Sequence, residues 1–222
     1  MWTIYRHVKG MDYLGLGEAL HSEEEKPLQV YRCLYDNDCA ATWARPLGMF
    51  HEQVASGEPR FTAIARVRPV VPEDEALVLG FGYEAWGQGQ SREDFIASYA
   101  SDRDHLRGKA YLLELPDGIV VTALNTLRFS RDRIGLARVA TAPGQQRKGG
   151  ATLLVRAVME IFRLENSGVR FLLFSEVDPG FYARFGFVEL PKAHQHFPPS
   201  VGMISGNEPL EPADVERMRQ YF

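Results

Sequence analysis

The spacing of apolar and polar positions changes character once along the chain. Up to about residue 60 the apolar residues fall in short β-type runs, Trp2 to His7, Tyr13 to Leu20, Leu28 to Tyr35, Thr42 to Arg45 and Met49 to Val54. Lys9-Gly10-Met11-Asp12, Ser22 to Pro27 and Asp36-Asn37-Asp38 separate the runs, with Gly, Pro and Asx residues where the backbone must reverse. Five short strands predict a small all-β, barrel-like domain filled by aromatic side chains, because so small an interior has room for few residues. The turn-forming linker Ala55-Ser56-Gly57-Glu58-Pro59 is short, so this part is expected to pack closely on the next. The division is placed between residues 61 and 62.

From Phe61 the pattern is mixed. Phe61 to Val70 reads as a strand, and Pro72-Glu73-Asp74 is the proline-led, acidic opening of a helix through about Trp86. Ser91, with Asp94 three residues on, starts a second helix over Arg92 to about Leu106. Ala110 to Leu115 and Ile119 to Leu127 form a hairpin about Pro116-Asp117-Gly118, and Ile134 to Thr141 is a further strand. Ala151 to Leu164 has the period of an amphipathic helix, with Leu153, Leu154, Ala157, Val158, Ile161 and Phe162 apolar. Arg170 to Ser175 is a short buried strand, and Asp178-Pro179 caps a last helix through Phe185. The order β-α-α-β-β-β-α-β-α-β, followed by a tail, predicts an α+β domain with a mixed sheet over residues 62–222.

Composition adds exclusions. The 222 residues suit one mid-sized domain with a small appendage, and 45% hydrophobic with 24% charged residues is the balance of a folded, soluble chain. A formal net charge of −4 gives no global attraction to nucleic acid or to an anionic membrane, and the charges of residues 1–60 are more acidic than basic. No uncharged apolar run approaches the roughly 20 residues that span a bilayer. The two cysteines, Cys33 and Cys39, form no disulfide framework, so a reducing cytoplasm is the expected location. Cys33 and Cys39 with His7, His21 and His51 have no metal-ligand spacing, and His194 and His196 alternate in a proline-flanked loop, so no metal is expected.

The chemistry concentrates in Val139-Ala140-Thr141-Ala142-Pro143-Gly144-Gln145-Gln146-Arg147-Lys148-Gly149-Gly150-Ala151, between a strand and the amphipathic helix. Gly149 and Gly150 let backbone N–H groups approach an anion, and the following helix offers its unsatisfied donors and positive dipole end. Arg147 and Lys148 add two cations. Glycines at such a turn also serve tight packing alone, and neither G-x-x-x-x-G-K-[ST] nor G-x-G-x-x-G is present.

Gln-x-x-Gly-x-Ala at Gln146 to Ala151, after a strand ending Val139-x-Thr141-x-Pro143, resembles the pyrophosphate-binding signature of the GNAT acyltransferases. Leu173-Phe174-Ser175-Glu176-Val177 leading to Phe181-Tyr182-Ala183-Arg184-Phe185-Gly186-Phe187 is similar to that family's second block. The resemblance covers about Ala110 to Leu190 most specifically. It implies a sheet whose strands 134–141 and 170–175 splay apart to admit the pantetheine of acetyl-CoA. Val139 and Thr141 would pair with the pantetheine amides, Gln146, Arg147, Lys148, Gly149, Gly150, Ala151 and Thr152 would hold the pyrophosphate, and an N–H near Val139 or Ala140 would polarise the thioester carbonyl. Tyr182 would protonate the departing thiolate, and the acceptor would be an amine on a small molecule or peptide. Spacing alone reads Tyr182 equally as a core residue against Phe181 and Phe185. For the base, Glu176, Glu84, Asn125 and Ser175 are candidates, and none is singled out. Residues 84–105, with Trp86-Gly87, are expected to wall the acceptor site.

Separately, Tyr5-Arg6-His7-x-Lys9-Gly10, His21-Ser22-Glu23, Val30-Tyr31, Leu34-Tyr35 and Trp43-x-Arg45-Pro46-Leu47-x-Met49-Phe50 resemble a short bacterial domain family of unknown function. That resemblance covers about Trp2 to Phe61 and implies no chemistry. A homodimer is among the expectations, and an acyl-CoA sensor without turnover is the alternative to an enzyme.

Overall fold

The protein, described from a computed structural model over residues 1–195 and 197–206, is built on one run of eleven hydrogen-bonded strands. The elements are β1 (Trp2–His7), β2 (Asp12–Leu20), β3 (Pro27–Cys33), β4 (Thr42–Pro46), α1 (Leu47–His51), β5 (Phe61–Pro69), α2 (Pro72–Gly80), α3 (Tyr83–Trp86), α4 (Arg92–Ala100), α5 (Arg103–Arg107), β6 (Lys109–Glu114), β7 (Val120–Ser130), β8 (Arg133–Thr141), α6 (Gly150–Glu165), β9 (Arg170–Ser175), α7 (Gly180–Ala183), β10 (Phe187–Glu189) and β11 (Val201–Ser205). The strand order is β10-β11-β9-β8-β7-β6-β5-β1-β2-β3-β4. Only β8 and β9 run parallel, as a strand–helix–strand crossover through α6 requires.

The N-terminal region is all-β apart from α1, and it meets the rest through a shared strand. One edge of β5 pairs with β1 from Phe61 to Val67, and the other pairs with β6 from Arg66 to Pro69. The interior of this region is aromatic: Tyr13, Tyr31, Phe50 and Phe61 are buried together, with the Phe50 and Phe61 rings stacked 4.2 Å apart. Ile4 and Leu14 belong instead to the main core, which they share with Leu154, Val155, Val158 and Phe162 of α6. Arg156 donates to the Leu34 carbonyl at 2.6 Å, and Glu160 pairs with both Arg32 and Arg163, so the middle of α6 is tied to β3 and the residue that follows it.

Four features depart from the expectations. Met49 to Val54 is not a strand; Leu47–His51 is the short helix α1, which turns after Pro46 and places Phe50 in the aromatic interior. The helix expected through Trp86 breaks into α2 and α3 at Phe81-Gly82, where a Cβ on Gly82 would stand 2.3 Å from the Trp86 ring. The helix expected through Leu106 breaks into α4 and α5: the Ser101 hydroxyl donates back to Ala97 and Ser98 carbonyls, and Asp102 Oδ1 accepts from the His105 N–H to begin the next turn. The tail is not a loop throughout, because β11 inserts between β9 and β10. Gln195 secures that return by donating to the Leu190 and Gly202 carbonyls and accepting from the Gly202 N–H. His194 is half-buried in the preceding turn, and His196 lies outside the described residues. Among the described residues no helix is long and apolar enough to cross a membrane.

Candidate active site

The strands on either side of α6 separate as the resemblance implied. β8 and β9 pair only through Arg133↔Arg170, Ile134↔Phe171 and Gly135↔Leu172; beyond that, β8 keeps its bonds to β7 and β9 keeps its bonds to β11. A bulge accompanies the parting. Ala137 faces Asn125 and Ala140 faces Ala123, so Arg138 and Val139 together oppose Leu124, with Arg138 at φ +52°. A bulge of this kind bends its strand and re-aims the backbone groups beside it.

At the far end of β8 the chain turns into α6. Gly149 has φ +86°, a conformation that L side chains avoid, and nothing lies within 4 Å of a Cβ built there. Gly150 has a different reason: its Cβ would stand 2.7 Å from Thr122 Oγ1, which itself lies 3.1 Å from Thr141 Oγ1. The helix that follows is sixteen residues long, and its first-turn N–H groups have no intrahelical acceptor. Thr141, Arg147, Gly149, Gly150, Ala151 and Thr152 surround a cavity of about 250 Å³, joined by Gln145, Phe181 and Arg184. This is a cationic, donor-lined recess at a helix N-terminus, which favours an anion.

Two residues expected at this recess do not line it. Gln146 is replaced by Gln145, and Lys148 donates to Gln145 Oε1 at 3.1 Å and lines the adjoining cleft under the N-terminal strands. Arg184 was missed. It sits in a variable position of the F-Y-x-x-x-G-F block, and only α7, which lays its guanidinium 5.2 Å over the Phe181 ring, brings it to the recess.

A second cavity, of about 400 Å³, opens at the parting of β8 and β9. Its walls are Val139 and Arg138 of β8, Asn125 of β7, Phe174 and Glu176 at the end of β9, Tyr182 of α7, and Trp86, Tyr99 and Asp102 from the α3–α5 region. Ala140 lines a smaller apolar space of about 30 Å³ next to it. Trp86 Nε1 donates to Glu176 Oε2 at 2.5 Å, linking α3 to the end of β9 across the opening. Of the acidic and polar candidates, Glu176 and Asn125 face the cavity. Glu84 is exposed and lines none of the cavities described, and the Ser175 hydroxyl is spent on the Val177 carbonyl at 2.7 Å.

Tyr182 is 8% exposed. Burial, with a smaller contribution from the Glu176 carboxylate, pushes its phenol up to about 12. The group therefore keeps its proton throughout the neutral range. Tyr99 is also pushed up, chiefly by burial, with Glu176 and Asp102 acting in the same direction and Arg138 against it. The two phenols, the guanidinium and the carboxylates thus feel one another within one enclosure. Among the described residues no three His, Cys, Asp or Glu side chains are grouped as a metal would need.

Comparison with known proteins bears on the family and the fold. Residues 3–63 match the model of a family described as a protein of unknown function (DUF1653), and a member from Bordetella bronchiseptica is 34% identical over 29% of this chain and 86% of its own, with a TM-score of 0.27. Solved structures resembling the remainder include a Lactobacillus plantarum protein provisionally described as an N-acetyltransferase, 16% identical, TM-score 0.51, covering 64% of this chain and 97% of its own. Escherichia coli ElaA is 15% identical, with a TM-score of 0.50, over 64% of this chain and all of its own. At such identities the likeness bears on the fold alone. No curated protein matches the chain. Residues 61–187, more than half of the sequence, match the acetyltransferase (GNAT) family model, and the chain belongs to that family.

Proposed function

We propose that the protein moves the acetyl group of acetyl-CoA to a primary amine by direct attack, with Thr141, Arg147, Gly149, Gly150, Ala151, Thr152 and Arg184 holding the diphosphate and Tyr182 supplying the final proton. One observation carries the reading: the same two elements line both cavities. β8 gives Thr141 to the anion recess and Val139 to the acceptor cavity, and α7 gives Phe181 to the first and Tyr182 to the second. A donor held by its diphosphate at one end thus has its thioester at the mouth of the other. Positioning of this kind supplies much of the rate in acyl transfer.

In the reaction, the amine nitrogen bonds to the thioester carbon, and negative charge gathers on its oxygen, where a backbone N–H near Val139 or Ala140 opposes it. The C–S bond then breaks, the Tyr182 phenol passes its proton to the thiolate, the new amide loses a proton to solvent or to a base, and solvent returns a proton to the Tyr182 phenolate. No base is assigned. Glu176 faces the cavity, but its Oε2 already receives the Trp86 indole.

We treat residues 1–61 and 62–222 as two modules, on the support that the two family matches meet at residues 61–63. A reducing, cytoplasmic setting suits the free thiols of Cys33 and Cys39. The test of the donor site is calorimetric titration with CoA: Gly149→Glu, which sets a carboxylate against a diphosphate, is expected to abolish binding while the far-UV spectrum is kept. Unchanged affinity overturns the assignment. Thiol release from acetyl-CoA with a panel of amines tests the activity, and tight CoA binding without release would point to a sensor instead.

A further inference from the structure

A cavity of about 570 Å³, larger than the recess and the acceptor cavity, lies between the N-terminal strands and the start of α6. Both modules supply its walls, so neither encloses it alone. Its apolar surface comes from Met11, Tyr35, Ile64, Leu115 and Leu153, all of them half-buried. A space of this size, mostly apolar with a few placed polar groups, is the usual form of a small-molecule site.

Four charged side chains line it, Arg6, Asp12, Lys148 and Arg156. Arg6 is held by Asp12 through bonds of 2.8 and 3.0 Å. The other two cations have only neutral partners among the described residues: Arg156 donates to the Leu34 carbonyl at 2.6 Å, and Lys148 donates to Gln145 Oε1 at 3.1 Å. Two positive charges are thus left in excess beside apolar walls.

We infer that this cleft between the modules binds a small amphipathic anion, an apolar chain or ring ending in a carboxylate or phosphate. The apolar part covers Ile64, Leu115 and Leu153, and the head meets Arg156 and Lys148. A neutral ligand leaves the two charges unanswered, a cation is repelled, and an inorganic anion leaves the apolar walls in water. The strand-to-helix turn belongs to two sites, because Gln145, Gly149, Gly150 and Thr152 line both this cleft and the recess assigned to the diphosphate. Filling the cleft draws Lys148 from Gln145 and sets a negative charge beside the recess, so the two anions oppose each other, and they do so reciprocally. This coupling, unlike the site itself, rests on the donor reading above.

The experiment is calorimetry on the full chain with octanoate, octyl phosphate, octylamine and acetate. At least one octyl anion is expected to bind, the tighter of the two identifying the head group, with octylamine and acetate weaker by about tenfold or more. Arg156→Gln is expected to weaken the octyl anion by about tenfold, while CoA affinity measured without it stays within about twofold. Met11→Glu, which adds a carboxylate to the N-terminal wall and leaves α6 alone, gives the same reading should Arg156→Gln not fold. In CoA titrations at rising octyl anion, the Kd for CoA should climb by about fivefold or more and then level off. No binding of either octyl anion, equal binding of octylamine, or affinity unchanged in the variants overturns the site, and a CoA Kd that does not move overturns the coupling. A CoA Kd that climbs without limit, or that suffers in Arg156→Gln as much as the octyl anion does, gives the cleft to CoA itself and overturns the inference as well. If CoA does not bind at all, the donor reading and the coupling fall, and the octyl titration without CoA still decides the cleft.

Discussion

At the scale of single residues, the Tyr182 phenol is set apart by where its proton stays. Pushed to about 12 by burial and the Glu176 charge, it keeps its proton well above neutral pH. Tyr182→Phe should therefore lower kcat by about a hundredfold, the usual range for a positioned acid, with CoA affinity within about twofold; wild-type turnover would remove it from that role. The pH profile carries a second expectation. Activity should rise as the acceptor amine deprotonates, with no descending limb near 10, the ordinary tyrosine value, and a limb centred there would contradict the buried environment. These residues were legible in unequal measure. Gly149 and Gly150 could be read from the turn, and Asn125 and Glu176 are among the polar candidates, whereas nothing in the spacing singles out Arg184 or Arg138. Arg138 reaches a cavity at the bulge of β8, and Arg184 reaches the recess from the end of α7.

Among the elements, α2 has the most testable start. Asp74 accepts from the Val71 N–H at 3.1 Å and pairs with Arg68 at 2.5 Å, while Arg68 also reaches Glu114 at 3.0 Å. This holds the helix to β5 and β6. The Arg68 partner, more than the cap, keeps the Asp74 carboxyl below its ordinary 3.8. Its stabilisation is thus complete above that ordinary value and is lost as pH falls through the depressed one. Asp74→Ala should cost about 2 kcal/mol at pH 7, and in urea melts the gap to wild type should narrow towards pH 3; a gap independent of pH would separate the carboxyl from the effect. Long periodic elements such as α6 and β8 could be read directly from residue spacing. The misread ones are short. Met49 to Val54 looks like a short strand between turn segments, but Phe50 is drawn into the aromatic interior and Pro46 opens a helical turn. At the Phe81-Gly82 break, Gly82 leaves the space that the Trp86 ring fills. The first outcome depends on contacts distant in sequence, the second on a close contact only four residues away.

For the whole molecule, the unanticipated fact is continuity. The spacing of residues announces two modules, and the aromatic interior near Phe50 with the GNAT core around α6 answers to that division. Yet strand pairing carries across it, since pairing across a joint has no local signature in either partner. β5 offers one edge to each side. Take away residues 1–61, and a six-residue stretch of main chain, 62–67, that now bonds to β1 is left with bare N–H and C=O groups along the side of the GNAT unit, next to newly uncovered Ala65 and Val67. A strand in that state recruits whatever extended chain it meets. The 62–222 fragment should accordingly elute from a sizing column as oligomers or precipitate, while the full chain does not, and a well-behaved monomeric fragment would refute this. On this account the front module, whatever else it binds, works as a permanent bandage on an adhesive flank.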